Sequence, residues 1–282
     1  MNLDEVKDYK VLFIGDGIID EYTYVTTIGK SVKENSISTK YKEKELWNGG
    51  VWAAAQHLKT FCNQVDVMSG HSVMWNRRFV DDFMHKLFTM HQMRNAEMIE
   101  EERNISDYDV VIVTDFGHGY MTKEVIEKIS REANYLCVNA QTNSTNYGFN
   151  MITKYPRADF VVIDELEARL AVHDKESDLE EIIPKLGFSK VIVTRGNKGA
   201  MGYFSDGNQH AFYYEPCYTD RVLDTMGAGD AFLSVTAPFA KAGMPMNELL
   251  KIGNAAGAVK VGIVGHRDSV TKDSLKVMLE SR

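Results

Sequence analysis

The stretch DTMGAGDAF, residues 224–232, joins a glycine-rich turn to the start of a helical pattern near the end of the chain. Gly227 and Gly229 have no side chain, so backbone N–H groups in this turn can come close to a ligand. A helix N-terminus carries free N–H donors and a partial positive charge, which together bind anions such as phosphate. Asp230 is suited to accept a proton from a hydroxyl that attacks such a phosphate. The pattern indicates phosphoryl transfer; the alternative is an ordinary turn in which Asp230 only stabilises the helix dipole.

Short apolar runs precede this stretch and are separated by helical patterns. The runs occupy residues 9–15, 64–68, 109–114, 135–138, 160–163 and 190–194. The helical patterns occupy residues 51–61, 122–133, 165–173, 227–242 and 246–264, and a last one follows Thr271. Continuous apolar strands that alternate with helices are typical of a mainly parallel sheet covered on both faces. The sequence therefore predicts an α/β fold.

Two regions depart from this alternation. Residues 36–42 and part of 77–93 alternate between polar and apolar side chains with a period of two. Because this period is typical of half-exposed strands, we expect them outside the main sheet, as a small flap over one of its edges. Residues 199–205 and 209–214 have the pattern of a hairpin joined by Asp206 and Gly207.

The composition excludes several classes of protein. Of the 282 residues, 40 are acidic and 32 basic, which gives a net charge of −8, and 44% are hydrophobic. This apolar content excludes disorder as the main state, and the acidic balance argues against a nucleic-acid-binding surface. The start of the chain lacks the apolar core of a signal peptide, and no apolar run approaches the ~18 residues that cross a bilayer. We therefore expect a cytoplasmic protein that binds neither nucleic acid nor membrane.

Acidic residues follow two of the predicted strands. Asp16 and Asp20 come just after the first strand, and Asp164 follows the strand at 160–163. Ligands of open α/β sheets bind at the carboxyl ends of the strands, so Asp16 and Asp20 are candidate acceptors of substrate hydroxyls. Asp164 and Glu167 could hold Mg²⁺ through water. The structural alternative is that these residues serve only turns and helix starts, where acidic side chains are common.

The order of these motifs resembles the ribokinase-like (PfkB) family of carbohydrate kinases, from about residue 9 to the end of the chain. DTMGAGDAF is the specific part of the resemblance, and the Gly49–Gly50 pair before the first helix is a weaker signature. Within the family, GDGIIDEYTY, VTDFGHGY and VTRGNKG look most like the heptose-phosphate kinase branch of surface-polysaccharide synthesis. The resemblance implies a ribokinase-like three-layer sandwich with a small β lid. It implies one kinase domain over residues 1–282, with lid strands from about 21–45 and 77–93 that often make a dimer contact.

The resemblance also implies a role for each candidate residue. Asp230 would be the catalytic base, and the backbone of Gly227, Ala228 and Gly229 would form the anion hole. The residues implied at the sugar are Asp16, Asp20, Gly49 and Gly50. Those implied along ATP are Thr194, Gly196 and Lys198, with Asn254 near the adenine. Those implied at Mg²⁺ are Glu167, acting through water, and Asp164.

Three departures from the family pattern bear on function. Asp164 stands where the family motif N-x-x-E has asparagine. Asp164 would therefore bring a carboxyl group near the phosphates. Trp52 lies where an asparagine usually follows the Gly-Gly pair, and it could narrow the sugar site. The chain is short between residues 68 and 77, where other members have a helix and a strand, so we expect a gap at one sheet edge or a partner that covers it.

The sequence thus predicts an ATP- and Mg²⁺-dependent kinase that phosphorylates a hydroxyl of a sugar or sugar phosphate, such as a heptose phosphate. Two alternatives stay open: a nucleoside or vitamin kinase, and a non-catalytic binding or scaffold protein that retains the fold. The expected partners are a small-molecule acceptor and a second copy of the chain, paired through the lid.

Overall fold

Ten strands and seven α-helices make up the computed structural model of the chain, which describes residues 2–95 and 103–281. The strands are β1 (Lys10–Lys30), β2 (Ile37–Gly50), β3 (Gln64–Val80), β4 (Lys86–Asn95), β5 (Val110–Asp115), β6 (Leu136–Ala140), β7 (Phe160–Asp164), β8 (Lys190–Thr194), β9 (Ala200–Ser205) and β10 (His210–Glu215). The helices are α1 (Val51–Gln56), α2 (Lys123–Glu132), α3 (Glu165–Ala171), α4 (Leu179–Ile182), α5 (Ala228–Lys241), α6 (Met246–Val261) and α7 (Lys272–Glu280).

The strands form one sheet in the order β10-β9-β8-β7-β6-β5-β1-β3-β4, and β2 pairs with β1. The strand pairs from β8 to β3 in this order are parallel, whereas β9 and β10 form an antiparallel hairpin at one edge, as expected. Alternate side chains of β1 enter different cores: Val11 and Phe13 pack with α5 and α6, and Leu12 and Ile14 pack with α2 and α3. The sheet therefore separates two helical layers, and the predicted α/β three-layer sandwich is confirmed.

The lid consists of β2, β4 and the outer halves of β1 and β3. In the core, β1 pairs with β3 as far as Gly15 and Ser69, and pairing resumes in the lid at Gly17 and Val73. There β2 runs antiparallel to β1, and β4 runs antiparallel to β3. The expectation that the lid strands lie outside the main sheet is therefore wrong. Because β1 has 21 residues and β3 has 17, each is long enough to belong to both the core and the lid.

The short segment at residues 68–77 is part of β3 itself, and no helix interrupts it. Within the described residues, β4 pairs with β3 only from Ser72 onward. The core half of β3 thus lies at the edge of the sheet, which agrees with the gap expected from the sequence.

The helices follow the predicted patterns with small differences at their ends. α1 ends at Gln56, and a series of turns continues to Phe61, whose side chain is buried. Pro245 is the N-cap of α6, and Thr271 caps α7 through a hydrogen bond from the Ser274 N–H. Within residues 2–95 and 103–281, none of the helices combines the length and the apolar character needed to cross a bilayer.

Candidate active site

Two cavities lie at the carboxyl ends of the parallel strands and share three lining residues, Gln141, Gly227 and Asp230. The first, which we name the lid cavity, has a volume of about 380 Å³ and is lined by residues of β1, β3 and β4, the loop after β5 and the turn before α5. The second, the loop cavity, has a volume of about 320 Å³ and lies between the starts of α3 and α5. Two ligands, one in each cavity, would therefore meet at Asp230.

Asp230 is a buried residue in the first turn of α5. Its Oδ1 accepts a hydrogen bond of 2.6 Å from the side-chain amide of Gln141. Burial raises the pKa of Asp230 to about 6, although His266, Gln141 and Lys260 act in the opposite direction. A carboxyl group with this pKa is ionised at pH 7 and remains basic enough to accept a proton from a hydroxyl.

The turn before α5 lines both cavities. Gly227 is the N-cap, with a left-handed φ of 73° that favours glycine. In the described part of the chain, no side chain caps this helix end. Gly227, Ala228 and Gly229 all line the loop cavity, so the predicted anion-hole residues lie together beside Asp230. The N–H groups at this helix end, of which the Ala228 N–H makes only a long hydrogen bond of 3.4 Å to the Thr225 oxygen, and the helix dipole make the turn suitable for a phosphate.

Asp20 lies at the lid cavity on the outer half of β1. Its Oδ1 forms an ion pair with Arg78, and its Oδ2 lies 3.1 Å from Nε2 of His266. Burial opposes ionisation, but the hydrogen bond with His266 and the charge of Arg78 outweigh it and lower the pKa of Asp20. Gly49 is needed here because a side chain at that position would collide with the Asp20 carboxylate. Gly50 lines the lid cavity. Asp20 is thus an ionised carboxylate at the cavity wall, paired with Arg78 and His266.

Asp16 contacts the backbone of the loop after β5, and its contact with a sugar stays a prediction. Its Oδ2 accepts hydrogen bonds from the backbone N–H groups of Phe116 at 3.0 Å and His118 at 3.2 Å, and its Oδ1 accepts one from Tyr120 at 3.1 Å. Asp16 does not line the lid cavity, whereas Phe116 and His118 do. The carboxylate therefore holds the loop after β5 in position, since three backbone donors occupy its oxygens.

Trp52 also differs from its expected position. Its indole packs against Gly17, where a side chain would collide with the ring. Trp52 does not line the lid cavity, so the expected narrowing of a sugar site by this residue is not supported.

Asp164 and Glu167 line the loop cavity and form a capping box at the start of α3. Oδ1 of Asp164 accepts from the Glu167 N–H at 2.7 Å, and Oε2 of Glu167 accepts from the Asp164 N–H at 2.8 Å. Oε1 of Glu167 accepts from the Thr142 N–H at 2.9 Å. Burial and then the nearby Asp164 carboxylate raise the pKa of Glu167 to about 8.

This arrangement limits how the pair could hold a metal. Within the described residues, no group of three or more His, Cys, Asp or Glu side chains is arranged to bind a metal ion by itself. Both oxygens of Glu167 already accept backbone N–H groups, so Asp164 is the better direct ligand. Mg²⁺ usually takes only one or two protein carboxylates and completes its shell with water and substrate phosphates. The donor set fits an ion of that kind.

The four residues expected along the nucleotide separate into two groups. Thr194 and Gly196 line the loop cavity, as expected for neighbours of a phosphate chain. Lys198 is exposed on the turn after β8 and does not line the cavity. The Asn254 amide donates to the carbonyl oxygens of Glu215 and Pro216, at 3.1 and 2.9 Å. Asn254 therefore anchors the segment after β10, which does not support the expected contact with adenine.

Several cavity residues were not found from the sequence. They are Asn76, Arg78, Thr89, His91, Asn143 and His266 in the lid cavity and Gln141 in both cavities. Asn76 and Arg78 are two residues apart on β3 and face the paired residues of β4, so strand alternation could have identified this face. Gln141 directly follows β6 at the carboxyl edge of the sheet, where ligands bind. No local signal marks His266.

Asp224, the first residue of the glycine-rich stretch, connects the lid to the turn. Its Oδ2 accepts hydrogen bonds from the Tyr22 hydroxyl at 2.8 Å and the Gly265 N–H at 3.0 Å. Its Oδ1 accepts from Lys86 Nζ at 3.1 Å and from the Met226 N–H at 3.2 Å. Burial opposes ionisation, but these contacts lower the pKa of Asp224 to about 2. Tyr22 belongs to β1 and Lys86 to β4, so one ionised carboxylate fixes two lid strands against the turn.

Comparison with known proteins shows which family the chain resembles. The chain matches the pfkB family of carbohydrate kinases over residues 81–273. It is 23% identical over 307 residues to the bifunctional protein HldE of Syntrophotalea carbinolica. The aligned region covers 93% of this chain and 61% of that protein. It is 30% identical over 129 residues to the 2-dehydro-3-deoxygalactonokinase of Haloferax volcanii, over 44% of the chain and 39% of that enzyme. The chain thus spans about 61% of the length of the HldE protein that it matches.

Solved structures share the fold at low sequence identity. The ribokinase of Thermotoga maritima superposes with a TM-score of 0.71 at 17% identity and covers 96% of this chain and 99% of its own. The Arabidopsis thaliana ribokinase, solved with ribose and ATP, has a TM-score of 0.65 at 13% identity, with coverage of 97% and 99%. The family match extends over more than half of the chain and these structures share its architecture. The chain therefore belongs to the pfkB family of carbohydrate kinases and has the ribokinase fold.

Proposed function

We propose that this chain transfers the terminal phosphoryl group of ATP to a hydroxyl of a sugar or sugar phosphate. The observation that carries the proposal is that the lid cavity and the loop cavity meet at Asp230. The acceptor occupies the lid cavity, and the phosphates of ATP occupy the loop cavity against Gly227, Ala228 and Gly229. A hydroxyl of the first ligand then faces the terminal phosphate of the second.

The chemistry requires little beyond positioning and charge stabilisation. Asp20 and Asn76 hold the acceptor through its hydroxyl groups. Asp230 takes the proton of the reacting hydroxyl, whose oxygen forms a bond to the terminal phosphorus while the bond to ADP breaks. The N–H groups at the start of α5 stabilise the negative charge on the transferred group.

The family also implies Mg²⁺, which the donor set of the loop cavity fits. Asp164 would hold it, and Glu167 would act through water. The ion supplies positive charge that neutralises the phosphate oxygens.

A heptose phosphate is the acceptor that we propose first. Two observations support it: the motifs that look like the heptose-phosphate kinase branch, and curated relatives that carry the name HldE. The lid cavity also contains Arg78, His91 and His118, side chains that can interact with an anionic acceptor.

A panel of acceptors tests this function. The chain is incubated with MgATP and, separately, with heptose 7-phosphate, hexose phosphates, free hexoses and nucleosides. ADP release and the mass of the product are measured, with Asp230→Asn as the inactive control. Transfer to a sugar or sugar phosphate is the expected result, and transfer to a nucleoside alone changes the acceptor class. Bound ATP without transfer to any acceptor overturns the proposal in favour of a non-catalytic binding protein.

We also propose that two copies pair through their lids. Large apolar side chains are exposed on the lid strands, namely Ile28, Ile37, Tyr41, Phe88, Met90 and Met93. A concentration of exposed apolar side chains is typical of an interaction surface. Light scattering on the wild-type chain should give the mass of a dimer. The double variant with Phe88→Glu and Met90→Glu should give the mass of a monomer. A wild-type chain that is monomeric at micromolar concentration contradicts the pairing.

A further inference from the structure

Lys260 is a lysine whose side chain is completely buried, with 0% of its surface exposed. It lies near the end of α6, and its Nζ donates a hydrogen bond of 2.8 Å to the carbonyl oxygen of Gly265. The Ile263 carbonyl oxygen lies 3.5 Å from the same nitrogen. Burying an ammonium is unfavourable unless neighbouring groups compensate for its lost hydration. Packing alone therefore does not explain why a lysine occupies this position.

The Lys260 side chain packs against the turn at Gly227. Cε of Lys260 is 3.3 Å from the position that a Cβ atom on Gly227 would occupy. Gly265 is held through both of its backbone polar groups, because its N–H donates to Asp224 and its carbonyl oxygen accepts from Lys260. The next residue, His266, contacts Asp20. Lys260 thus connects the anion-hole turn with the segment that faces the acceptor.

The charges around Lys260 favour its ammonium form. Burial lowers the pKa of Lys260, and Lys86 acts in the same direction. Asp224, Asp230 and Asp20 act against them. In return, the charge of Lys260 lowers the pKa of Asp230. The titratable groups that act on Asp230 are Lys260, His266, Asp20 and Glu167.

We infer that Lys260 is a fixed internal cation of the phosphoryl-transfer site, which adds positive potential behind the turn at Gly227 and favours the carboxylate form of Asp230. The inference rests on the proposed function, because it concerns the same phosphate and the same base. Lys260 does not contact the acceptor; it is a positioning and electrostatic residue that acts through Gly227 and Asp230. In the low-dielectric interior, such a charge acts strongly on phosphate oxygens a few ångströms away.

Substitutions that separate charge from hydrogen bonding test the inference. Lys260→Gln keeps a donor for the Gly265 oxygen but removes the charge, whereas Lys260→Arg keeps the charge. For Lys260→Gln we expect kcat to fall by about tenfold or more, with the KM for the acceptor nearly unchanged. The acid limb of the pH profile of kcat/KM should move to higher pH, since Asp230 loses a cation that favours its ionised form. In Lys260→Arg, which keeps the charge, the acid limb of kcat/KM should lie at the same pH as in the wild-type chain. Lys251→Gln, on the exposed side of the same helix, is the matched control.

Two further measurements cover a variant that fails to fold. In Lys260→Ala, ammonium chloride should raise kcat, because the vacated site keeps the carbonyl oxygens of Gly265 and Ile263 that accept from the ammonium; sodium chloride at equal ionic strength is the control. On the unaltered chain, nitrogen NMR of the Lys260 side chain should show an ammonium at pH 7. A neutral amine there overturns the inference, as does an unchanged acid limb in folded Lys260→Gln. A wild-type chain that phosphorylates no acceptor contradicts the proposed function instead, so the two failures are distinguishable.

Discussion

The side-chain amide of Gln141 donates a 2.6 Å hydrogen bond to Oδ1 of Asp230. Gln141 directly follows β6, so the central sheet orients the carboxylate that stands between the two cavities. The bond favours the ionised carboxylate, because an amide N–H stabilises its negative charge. This hydrogen bond thus links the position and the charge of the Asp230 carboxylate to the central sheet.

Gln141→Leu should impair the base without changing the size of the cavity greatly. The lost hydrogen bond should raise the pKa of Asp230 above its present value of about 6. The acid limb of kcat/KM should therefore move to higher pH, with kcat at pH 7 reduced by about tenfold. Gln141→Asn keeps the amide on a shorter side chain and serves as the comparison. If the pH profile is the same in all three proteins, the hydrogen bond does not act on the base.

Asp230→Asn should abolish transfer, with a loss of about 1,000-fold or more in kcat, and should leave ATP binding intact. Its effect on stability should depend on pH. The folded-state pKa of about 6 lies above the ordinary 3.8, so ionisation of Asp230 destabilises the fold as pH rises from about 4 through 6.

The same substitution should consequently raise the free energy of unfolding at pH 7, by up to about 3 kcal/mol, and have little such effect at pH 4. Chemical unfolding at both pH values measures this difference. Equal effects at the two pH values would show that Asp230 is not held in an environment that opposes its charge.

Asp16 and Asp20 should respond differently to substitution, although they are only four residues apart. Asp20→Asn should raise the KM for the acceptor by about tenfold or more and leave the KM for ATP unchanged, because the lid cavity loses an ionised hydroxyl acceptor.

Asp16→Ala should lower stability by about 2–5 kcal/mol, since three backbone N–H groups lose their partner. Thermal unfolding and initial-rate kinetics on both variants make the comparison. A folded Asp16→Ala with unaltered unfolding temperature and an acceptor-specific defect would restore the sugar contact expected from the sequence.

Weakening the contacts of Asp224 with the lid should uncouple ATP cleavage from transfer. Tyr22→Phe removes a 2.8 Å hydrogen bond, and Lys86→Met removes the 3.1 Å ion pair. Water should then reach the terminal phosphate more easily, so the rate of ATP hydrolysis without acceptor should rise by roughly two- to tenfold. The KM for the acceptor should also increase. Lys42→Met is the control, since Lys42 pairs with Asp82 inside the lid itself. Unchanged hydrolysis in both variants argues that these contacts do not govern closure.

The sequence predicted the parts of the site that depend on local pattern. The turn at residues 227–229 and Asp230 share one short segment, so their association needs no knowledge of the rest of the chain. The distinction between Asp16 and Asp20 was not predictable, because the three donors to Asp16 come from a loop about 100 residues later.

Long-range packing explains the other differences. Asn254 stands at the position that the resemblance places near the adenine, but its amide holds the segment after β10. His266 and Lys260 act through residues that are distant in sequence, and no spacing rule connects them to Asp20 or Gly227. The lid was recognised from its alternating residues. The continuity of the lid strands with the core sheet was not recognised from the sequence, because strand alternation gives no information on where a strand passes from the core into the lid.

The continuity of β1 and β3 has a mechanical consequence for substrate capture. A flap on flexible linkers could swing freely, but here opening must bend two paired strands whose register breaks only between Gly15 and Gly17. The break in their pairing lies next to Asp16, so any movement of the lid relative to the core would have to bend β1 and β3 and would concentrate at this point of the two strands.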